Sequence, residues 1–493
     1  MNRSIFYLFI ALSVVIVQLS FFSCTGNSPN LPKKKLLALM NELSQKAAKT
    51  PAFILPDSNY VPPAGVRYTE IRAIDYSDPP AVIDIVGNLN NRKIFKLSDF
   101  ASSVRYVILR PPPDVKFSSI HDIATDDERI FINTAQGLFC YSTEGLYQYT
   151  VVKNELEDNF MGTGSFRVVM GSIGEIDLFN GILVHRFIHW HTIAVGGTDV
   201  NLHFFDIKEL DAQMFFNSQS NELGFSNATP KYQRALTSQT DAGWGRQYLL
   251  MNDQSVFNNN WTITSIHGDT LCKFMNYDQA TINRVMQSRG AGVLIPSNIY
   301  RISGQMMLQN GHNDTVFRVM PPNRLTPAYV MNWGNYKPDL KEHVAGSALE
   351  GKLVLGSWIE TPRFIFIHYT EGRNFPTRRD QGKVKFHYAI YNKTAKTLTH
   401  HISPTTPAMR QAQSGWSSTT TVNVPLPMLI ENDIESVGMP FYPEGLNHKD
   451  EMYMIFSKER IADYIASGRY RNDKLQAIYD SMPDDGFCIM FVK

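Results

Sequence analysis

The chain has 493 residues, and its 47 Lys and Arg residues nearly balance its 46 Asp and Glu residues, for a formal net charge of +1 at pH 7. This balance lacks the basic excess of a nucleic-acid-binding protein, so we predict no nucleic-acid partner. Hydrophobic residues make up 43% of the chain and aromatic residues 12%, which excludes wholesale disorder. Four cysteines in so long a chain exclude a disulfide-built scaffold.

The N-terminus has the pattern of an export signal. Arg3 supplies a short positive region, and residues 5–22 are almost entirely apolar, as in the apolar segment of a signal peptide. Ser23 then precedes Cys24, and this arrangement resembles a bacterial lipoprotein signal, in which the cysteine is acylated and becomes the first mature residue. We therefore predict a lipoprotein signal peptide over residues 1–24 with a lipidated Cys24, in preference to an uncleaved membrane anchor or ordinary secretion.

Residues 25–80 are predicted to connect this anchor to the folded domain. Leucines and a methionine at helical spacing predict a short helix over residues 33–49. Six prolines between residues 50 and 80 then predict a linker without regular structure. The main domain is predicted to span residues 81–493.

The main domain has the composition of an all-β fold with little helix. Short runs rich in aromatic and β-branched residues recur between Gly, Asn, Asp and Pro residues, which is typical of strands joined by tight turns. Clear strand runs begin at Arg129, Phe364, Phe386 and Met452. The strongest helical periods lie at residues 458–466 and 473–481.

One internal repeat can be read in the sequence. Residues 268–274 and 313–319 both place Asp-Thr before two apolar residues and a basic residue, and Thr270 and Thr315 are 45 positions apart. That spacing is in the range of one four-stranded propeller blade. A ring of blades buries the two faces that a single blade leaves exposed, so the repeat favours a β-propeller.

Four segments of this domain match the motifs of one protein family. The first holds Leu97-Ser98-Asp99, and the others lie at residues 139–145, 313–334 and 432–443. These segments resemble the six-bladed β-propeller lipoproteins abundant in gut Bacteroidetes, a family of largely uncharacterised proteins. The resemblance implies a six-bladed β-propeller of four-stranded antiparallel blades over residues 81–493 and an envelope location, but no activity.

The cysteines and one acidic triplet of the main domain are assigned structural roles. Cys140, Cys272 and Cys488 lie in apolar, strand-like runs, so we predict buried, unreactive thiols. Residues 126–128 are Asp-Asp-Glu directly before a strand. This pattern predicts the turn between the first two strands of a blade rather than a catalytic or calcium site.

Histidines form the best metal candidate, although a weak one. His185, His189 and His191 have the spacing of one strand face, yet His185 and His191 would lie about 20 Å apart in an extended strand. Only the His189 and His191 pair, with His203 as a further ligand, could share an ion. Histidines on a half-exposed strand face are the favoured interpretation, so we predict neither a metal nor another cofactor.

Residues 241–248 are the candidate for a ligand-binding loop. Trp244 stands between two glycines and is followed by Arg246 and Gln247. These residues offer a stacking plane and hydrogen-bond donors for a sugar or a peptide. The favoured interpretation is nevertheless that Trp244 fills the space between two blades, a role for which propellers need many aromatic residues.

The sequence predicts a lipid-anchored protein of the cell envelope, attached to the outer membrane. Its propeller is predicted to bind an unidentified small-molecule, glycan or protein ligand through loops on one face, without catalysing a reaction. Which side of the outer membrane it faces stays open. Two alternatives also stay open: a propeller-based hydrolase or lyase acting on glycans, and a structural subunit of an envelope complex.

Overall fold

The structure is a computed structural model, and the residues that it describes all belong to one unit of the chain, Phe53–Lys493. The described residues are 71–72, 74–112, 115–117, 119–134, 136–153, 176–179, 181–190, 198–211, 213, 232–236, 240–244, 248–253, 261–265, 270–274, 298–309, 314–320, 324–338, 351–372, 385–402, 409–413, 421–425, 429–435, 438–467 and 473–493. Strands dominate these residues, as the composition predicts.

The strands of the first half follow one another in consecutive groups. The N-terminal group is β1 (Ile71–Arg72), β2 (Ala81–Asp84), β3 (Arg92–Lys93) and β4 (Val104–Leu109). Sheet A contains β5 (Ile120–Thr125), β6 (Arg129–Thr134), β7 (Gly137–Ser142) and β8 (Tyr147–Lys153). Sheet B contains β9 (Ile176–Phe179), β10 (Ile182–Trp190), β11 (Thr198–Asp206) and β12 (Tyr232–Leu236). Sheet C contains β13 (Thr240–Trp244), β14 (Tyr248–Asp253), β15 (Trp261–Ser265) and β16 (Thr270–Phe274).

The second half continues the same pattern. Sheet D contains β17 (Asn298–Ile302), β18 (Gln305–Gln309), β19 (Thr315–Met320) and β20 (Arg324–Asn332). Sheet E contains β21 (Leu353–Glu360), β22 (Phe364–Glu371), β23 (Lys385–Asn392) and β24 (Thr397–His401). A separate hairpin is formed by β25 (Met409–Gln413) and β26 (Thr421–Pro425). Sheet F contains β27 (Gly445–Leu446), β28 (Met452–Ser457) and β29 (Phe487–Val492), with helices α1 (Lys458–Ala466) and α2 (Asp473–Ser481) inserted before β29.

The sheets are arranged as a β-propeller. In sheets A to E the four strands of a group are neighbours in chain order, and each pairs antiparallel with the next. The first strands of sheets A, B, D, E and F all contribute to the wall of one cavity. Meandering sheets that turn their first strands toward a common centre are propeller blades, so the all-β propeller prediction is confirmed. The predicted count of six is not confirmed, because five blades border the cavity in the described residues.

The predicted strand runs and the two C-terminal helices agree with the structure, while the helix predicted over residues 33–49 lies outside the described residues. The runs that begin at Arg129, Phe364, Phe386 and Met452 lie in β6, β22, β23 and β28. Helices α1 and α2 have the predicted bounds, and the Ser457 hydroxyl accepts the Arg460 N–H as an N-cap. A membrane crossing would need a longer and more apolar helix than any in the described part of the chain.

The predicted roles of the acidic triplet and of the cysteines are confirmed. Asp126 accepts the backbone N–H groups of Glu128 and Arg129 at 2.8 and 2.7 Å, which closes the turn between β5 and β6. Cys140, Cys272 and Cys488 are buried. Burial raises the pKa of the Cys140 and Cys488 thiols to about 12, so both are neutral and unreactive at neutral pH.

The internal repeat does not mark equivalent strands. Thr270 begins β16, the fourth strand of sheet C, whereas Thr315 begins β19, the third strand of sheet D. The interpretation of the 45-residue spacing as a blade repeat was therefore wrong. An Asp-Thr pair favours a tight turn before any strand, whatever the position of that strand in its sheet.

The N-terminal strand β4 completes the C-terminal sheet F. β4 pairs antiparallel with β29 from Val104 opposite Val492 to Leu109 opposite Phe487. Every residue of β29 is buried, so this strand lies inside the protein between β28 and β4. A strand from the N-terminal part of the domain and the last strand of the chain are thus joined in one sheet, which closes the ring of blades.

The residues before β4 run along the outer strands of three successive sheets. β1 pairs parallel with β16, β2 with β20, and β3 with β24, so each adds a fifth strand to sheet C, D or E. We call residues 71–99 the strap. β1 lies within the segment predicted as an irregular linker. The strap covers backbone groups that an outer strand would otherwise leave unpaired.

A buried carboxylate joins sheets D and E. The Glu360 side chain is 2% exposed and accepts hydrogen bonds from the hydroxyls of Tyr300 and Tyr329 at 2.7 and 2.8 Å and from the Lys393 ammonium at 2.7 Å. The Trp358 indole donates in turn to the Tyr300 hydroxyl at 2.7 Å. Buried charges are tolerated only with such partners, so this network fixes the contact between the two sheets.

We expect Gly145→Ala to destabilise the protein more than Gly351→Ala. Both glycines have positive φ, 85° and 74°, which costs an L-residue about 1–2 kcal/mol. A Cβ at Gly145 would also lie 2.2 Å from the carbonyl oxygen of Ile108 in β4, whereas a Cβ at Gly351 meets nothing within 4 Å. Urea unfolding midpoints measure the difference. Equal midpoints for the two variants would show that the Gly145 turn is not packed against β4.

We expect Glu360→Gln to lower the free energy of unfolding by about 1.5–3 kcal/mol, the range for hydrogen bonds to charged groups. The neutral amide leaves the Lys393 ammonium without its carboxylate partner. Glu459→Gln, on the exposed face of α1, is the matched control and should change stability little. Urea unfolding of both variants is the measurement, and equal midpoints would contradict a stabilising network.

Candidate ligand-binding cavity

The centre of the propeller holds a cavity of about 570 Å³, within the range of about 300–1,000 Å³ that is usual for ligand sites. Most of its described wall is formed by β5, β9, β17, β21 and β27 and by the turns that follow some of them, and β10, β11, β18 and β28 contribute one residue each. Apolar side chains such as Ile123, Leu178 and Ile359 alternate with polar ones around this wall. The blades therefore place strand residues, as well as loop residues, in position to contact a ligand.

An ion pair in the cavity wall joins two blades that are not consecutive in the chain. Arg301 of β17 donates from Nη2 to Asp177 Oδ2 of β9 at 2.5 Å, although sheet C lies between their sheets in chain order. The Asp177 side chain is 42% exposed, and it borders the cavity. Removal from bulk water raises the pKa of this carboxyl, and the Arg301 guanidinium opposes that rise.

Three blades meet at one end of the cavity. The turn after β17 and the turn after β27 are linked by a hydrogen bond from Ser303 Oγ to Asp450 Oδ2 at 3.2 Å. The His448 backbone N–H donates to Thr125 Oγ1 at 3.2 Å, and the Thr125 hydroxyl lies 2.7 Å from His448 Nδ1. Sheets A, D and F are thus tied together at this end.

Thr125, His448 and Asp127 have the order of a nucleophile, a base and an orienting acid. His448 Nε2 lies 3.2 Å from Asp127 Oδ1. Other contacts assign these groups a structural role, because Thr125 is 6% exposed and accepts the His448 N–H. Asp127 is 79% exposed and also pairs with Lys449 at 2.8 Å. A carboxylate in water orients an imidazole weakly.

Negative charge dominates the described wall. It contains five carboxylates against one guanidinium, that of Arg301, and no lysine. Desolvation lowers the pKa of His121, so this imidazole is neutral at pH 7 and adds no positive charge. The carboxylates are those of Asp122, Asp177, Glu360, Glu444 and Asp450.

Of the three residues named as candidate ligand contacts, the structure describes only Trp244. Trp244 is the last residue of β13, opposite Leu249 of β14, so the prediction of a loop was wrong for residues 241–244. The hairpin register extends the strand to the tryptophan. Arg246 and Gln247 lie outside the described residues, as does Cys24.

The weak metal candidates are not brought together with His203. His189 of β10 is opposite Asp199 of β11, while His203 is opposite His185, with ring centres 6.2 Å apart. His191 lies outside the described residues. Burial lowers the pKa of His185 to about 3. Where the structure describes side chains, no group of three or more His, Cys, Asp or Glu residues is placed to hold a metal ion.

Sequence reasoning missed Asp177, Arg301 and Glu360. The available signal was a charged residue inside an otherwise apolar strand run, as in Ile-Asp-Leu-Phe at residues 176–179. Because successive side chains in a strand point to opposite faces of the sheet, such a side chain lies on the face opposite to that of its apolar neighbours. The alternation does not show whether that face is turned toward solvent or toward a cavity.

Comparisons with known proteins show the family of the chain. A search of curated proteins found no match. One similar solved structure is that of a candidate exported protein from Bacteroides fragilis NCTC 9343. Its sequence is 13% identical to this chain, and the alignment covers 84% of this chain and 99% of that one. The TM-score of 0.51 shows that the two proteins share the fold. A protein of unknown function from Bacteroides thetaiotaomicron VPI-5482 is 8% identical with a TM-score of 0.34, covering 79% of this chain and 76% of that one. A family model described as Domain of unknown function (DUF4933) matches residues 63–467, and the protein belongs to this family.

Proposed function

We propose that the protein is a lipid-anchored β-propeller of the cell envelope that binds a ligand in its central cavity and releases it unchanged. The observation that carries this proposal is the cavity of about 570 Å³, with polar and apolar side chains from five blades. Rigid strands hold these side chains in place before a ligand arrives, which reduces the entropy lost on binding.

Export and attachment to the outer membrane rest on the N-terminal pattern. The apolar segment and Ser23-Cys24 match a lipoprotein signal, and the B. fragilis structure of the same fold is a candidate exported protein. Acyl chains on Cys24 would hold the propeller at the membrane, since each buried methylene contributes about 0.8 kcal/mol.

Sheet C is the sixth blade of this proposal. Its first strand, β13, packs beside β17 of sheet D, which is the position that a blade between sheets B and D would take. Trp244 is the last residue of β13, and we propose it as a ligand contact together with Arg246 and Gln247, which lie outside the described residues.

A second candidate function is hydrolysis, as in a propeller enzyme acting on glycans. The arrangement of Thr125, His448 and Asp127 favours it, because a hydroxyl and an imidazole lie within hydrogen-bond distance. Binding remains the first candidate, since the same three groups are used to tie the blades together.

Binding is tested by presenting the full chain to arrays of glycans, peptides and small molecules and measuring the affinity of each hit by calorimetry. Leu446→Trp, which fills part of the cavity, should weaken binding by about tenfold or more, equal to 1.4 kcal/mol. The control is the same change at Leu146, which is 64% exposed and should leave the affinity unchanged.

Three outcomes of the same experiment are decisive. Hits that bind Leu446→Trp and the unmodified chain equally would contradict a cavity site. Binding unchanged by Trp244→Ala would remove Trp244 from the ligand contacts. Conversion of a hit into products, abolished by His448→Ala, would replace the binding function by hydrolysis.

Lipid attachment is tested with Cys24→Ala. The unmodified chain, expressed in a bacterium fed with radiolabelled palmitate, should incorporate label and sediment with membranes. The variant should lose the label, because the acylated sulfur is absent. Cys140→Ala, which alters a buried thiol, is the control and should keep the label. Labelled Cys24→Ala protein would contradict lipidation at this residue.

A further inference from the structure

We propose that His400 and His401, at the end of β24, hold the strap on sheet E only while both imidazoles are uncharged, and that acid releases the strap from this sheet. The inference is independent of the proposed ligand-binding function, because it concerns the outer strands of the propeller and not the cavity. Two observations carry it. Both rings form hydrogen bonds with backbone groups of the strap, and both are buried in surroundings that suit only the neutral form.

His401 accepts a hydrogen bond from the strap. The Phe95 backbone N–H donates to His401 Nδ1 at 3.2 Å, so this nitrogen carries no proton. In an imidazolium both ring nitrogens carry protons, and Nδ1 would then direct its N–H against the N–H of Phe95. His401 is 4% exposed and Phe95 is 9% exposed, so water does not readily replace the lost bond. Protonation of His401 therefore breaks this contact with the strap.

His400 binds the strap and β22 at the same time. Its Nδ1 lies 2.9 Å from the Asn88 carbonyl oxygen, which can only accept, so Nδ1 carries the proton. Its Nε2 lies 2.7 Å from the Tyr369 hydroxyl and accepts the hydroxyl proton. A second proton on Nε2 would force the Tyr369 hydroxyl to accept instead, and its own proton would need a new partner although Tyr369 is fully buried.

The two imidazole bonds are a substantial part of the attachment of the strap to sheet E. β3 pairs with β24 through only two residue pairs. Backbone bonds run from the His400 N–H to the Asn91 carbonyl oxygen at 2.8 Å and from the Ile402 N–H to the Lys93 carbonyl oxygen at 3.1 Å. An attachment with so few bonds is sensitive to the loss of two of them, and its release exposes the edge of β24.

The surroundings of the two rings disfavour a second proton. The Arg92 guanidinium of the strap opposes protonation of His400, while nearby backbone carbonyls favour it at both rings. Burial outweighs those carbonyls and lowers the pKa of both histidines. On β22 and β23, Glu371 and Lys385 act on His387 with opposite signs. The described titratable and charged residues of the elements packed against the pair are Arg92, Lys93, Lys96 and Asp99 of the strap, His368, Tyr369 and Glu371 of β22, Lys385, His387, Tyr388 and Tyr391 of β23, and Glu431.

The released strap binds more protons than the attached strap. In the attached state the pKa of both histidines lies below the ordinary value of 6.5, and release returns the rings to water. Attachment is therefore at full strength above this value and weakens as the pH falls below it. The ratio of released to attached strap rises by at most about tenfold per pH unit for each histidine.

Hydrogen exchange of the full chain at about pH 7.5 and pH 5, with each rate divided by the intrinsic chemical rate, tests the inference. We expect residues 88–95 to lose about tenfold or more of their protection at the lower pH, because release precedes exchange there. Residues of β29, which is buried along its whole length, should keep theirs. Unchanged or greater protection of residues 88–95 in acid would overturn the inference. An equal loss in β29 would also overturn it, since the whole domain would then be unfolding.

Combining His400→Asn with His401→Asn should remove the response to acid. An asparagine amide does not titrate, and it can accept or donate where ring Nδ1 does, so the strap should stay protected at both pH values. His368→Asn changes a histidine of β22 whose ring packs on Phe386 and Tyr388, and this control should keep the response. A double variant that responds like the unmodified chain would contradict the assigned residues. If the double variant does not fold, as judged by circular dichroism, His401→Asn alone decides, since it should show a clearly smaller response.

Discussion

The pairing of β4 with β29 is the constraint on which the rest of the structure depends. A meandering sheet has two apolar faces, and a row of such sheets leaves one face exposed at each end. Pairing of β4, which precedes sheet A in the chain, with the last strand, β29, brings the two ends of the row of sheets together. Backbone hydrogen bonds that join Lys493 to Ser102 and Ser103 continue the junction beyond the ends of the two strands. The fully buried β29 owes its burial to this junction.

The strap reinforces the same closure from outside. β1, β2 and β3 pair with the outer strands of three successive sheets before the chain enters sheet F as β4. Each of these three pairings involves only a few residues, but all three belong to one continuous segment whose C-terminal end is fixed by the pairing of β4 in sheet F. A chain fixed at one end loses little further entropy at each added contact, which favours binding along the whole row. Because it pairs with β16, β20 and β24, the strap links sheets C, D and E to one another.

The cavity is a consequence of the ring rather than of any one blade. Asp177 and Arg301 are 124 residues apart, and Ser303 and Asp450 are 147 residues apart. These residues meet because the first strands of their blades converge on one centre. Charged side chains that would point to solvent in an isolated sheet point into an enclosed space here.

Local chemistry explains which sequence predictions agree with the structure. Helices α1 and α2 and the turn at Asp126 depend on neighbouring residues and were predicted correctly. The family motifs also point to real contacts, since Ser98 of the first motif donates to Asp433 of the last. The 45-residue repeat failed because the Asp-Thr signal specifies a turn and not the position of a strand in a sheet. The loop at Trp244 was misjudged because glycines are also compatible with a strand that forms a hairpin.

The amino-acid sequence by itself determined the fold class, the turn chemistry, the burial of the cysteines and the two helices. These properties follow from side-chain periodicity and backbone preferences over a few neighbouring residues. Only the tertiary structure decided which strands line the centre, how the strap covers the outer edges, and that Asp177, Arg301 and Glu360 are among the charged groups of the cavity wall. Those facts depend on contacts between residues that are tens to hundreds of positions apart, and such contacts have no signature in local sequence.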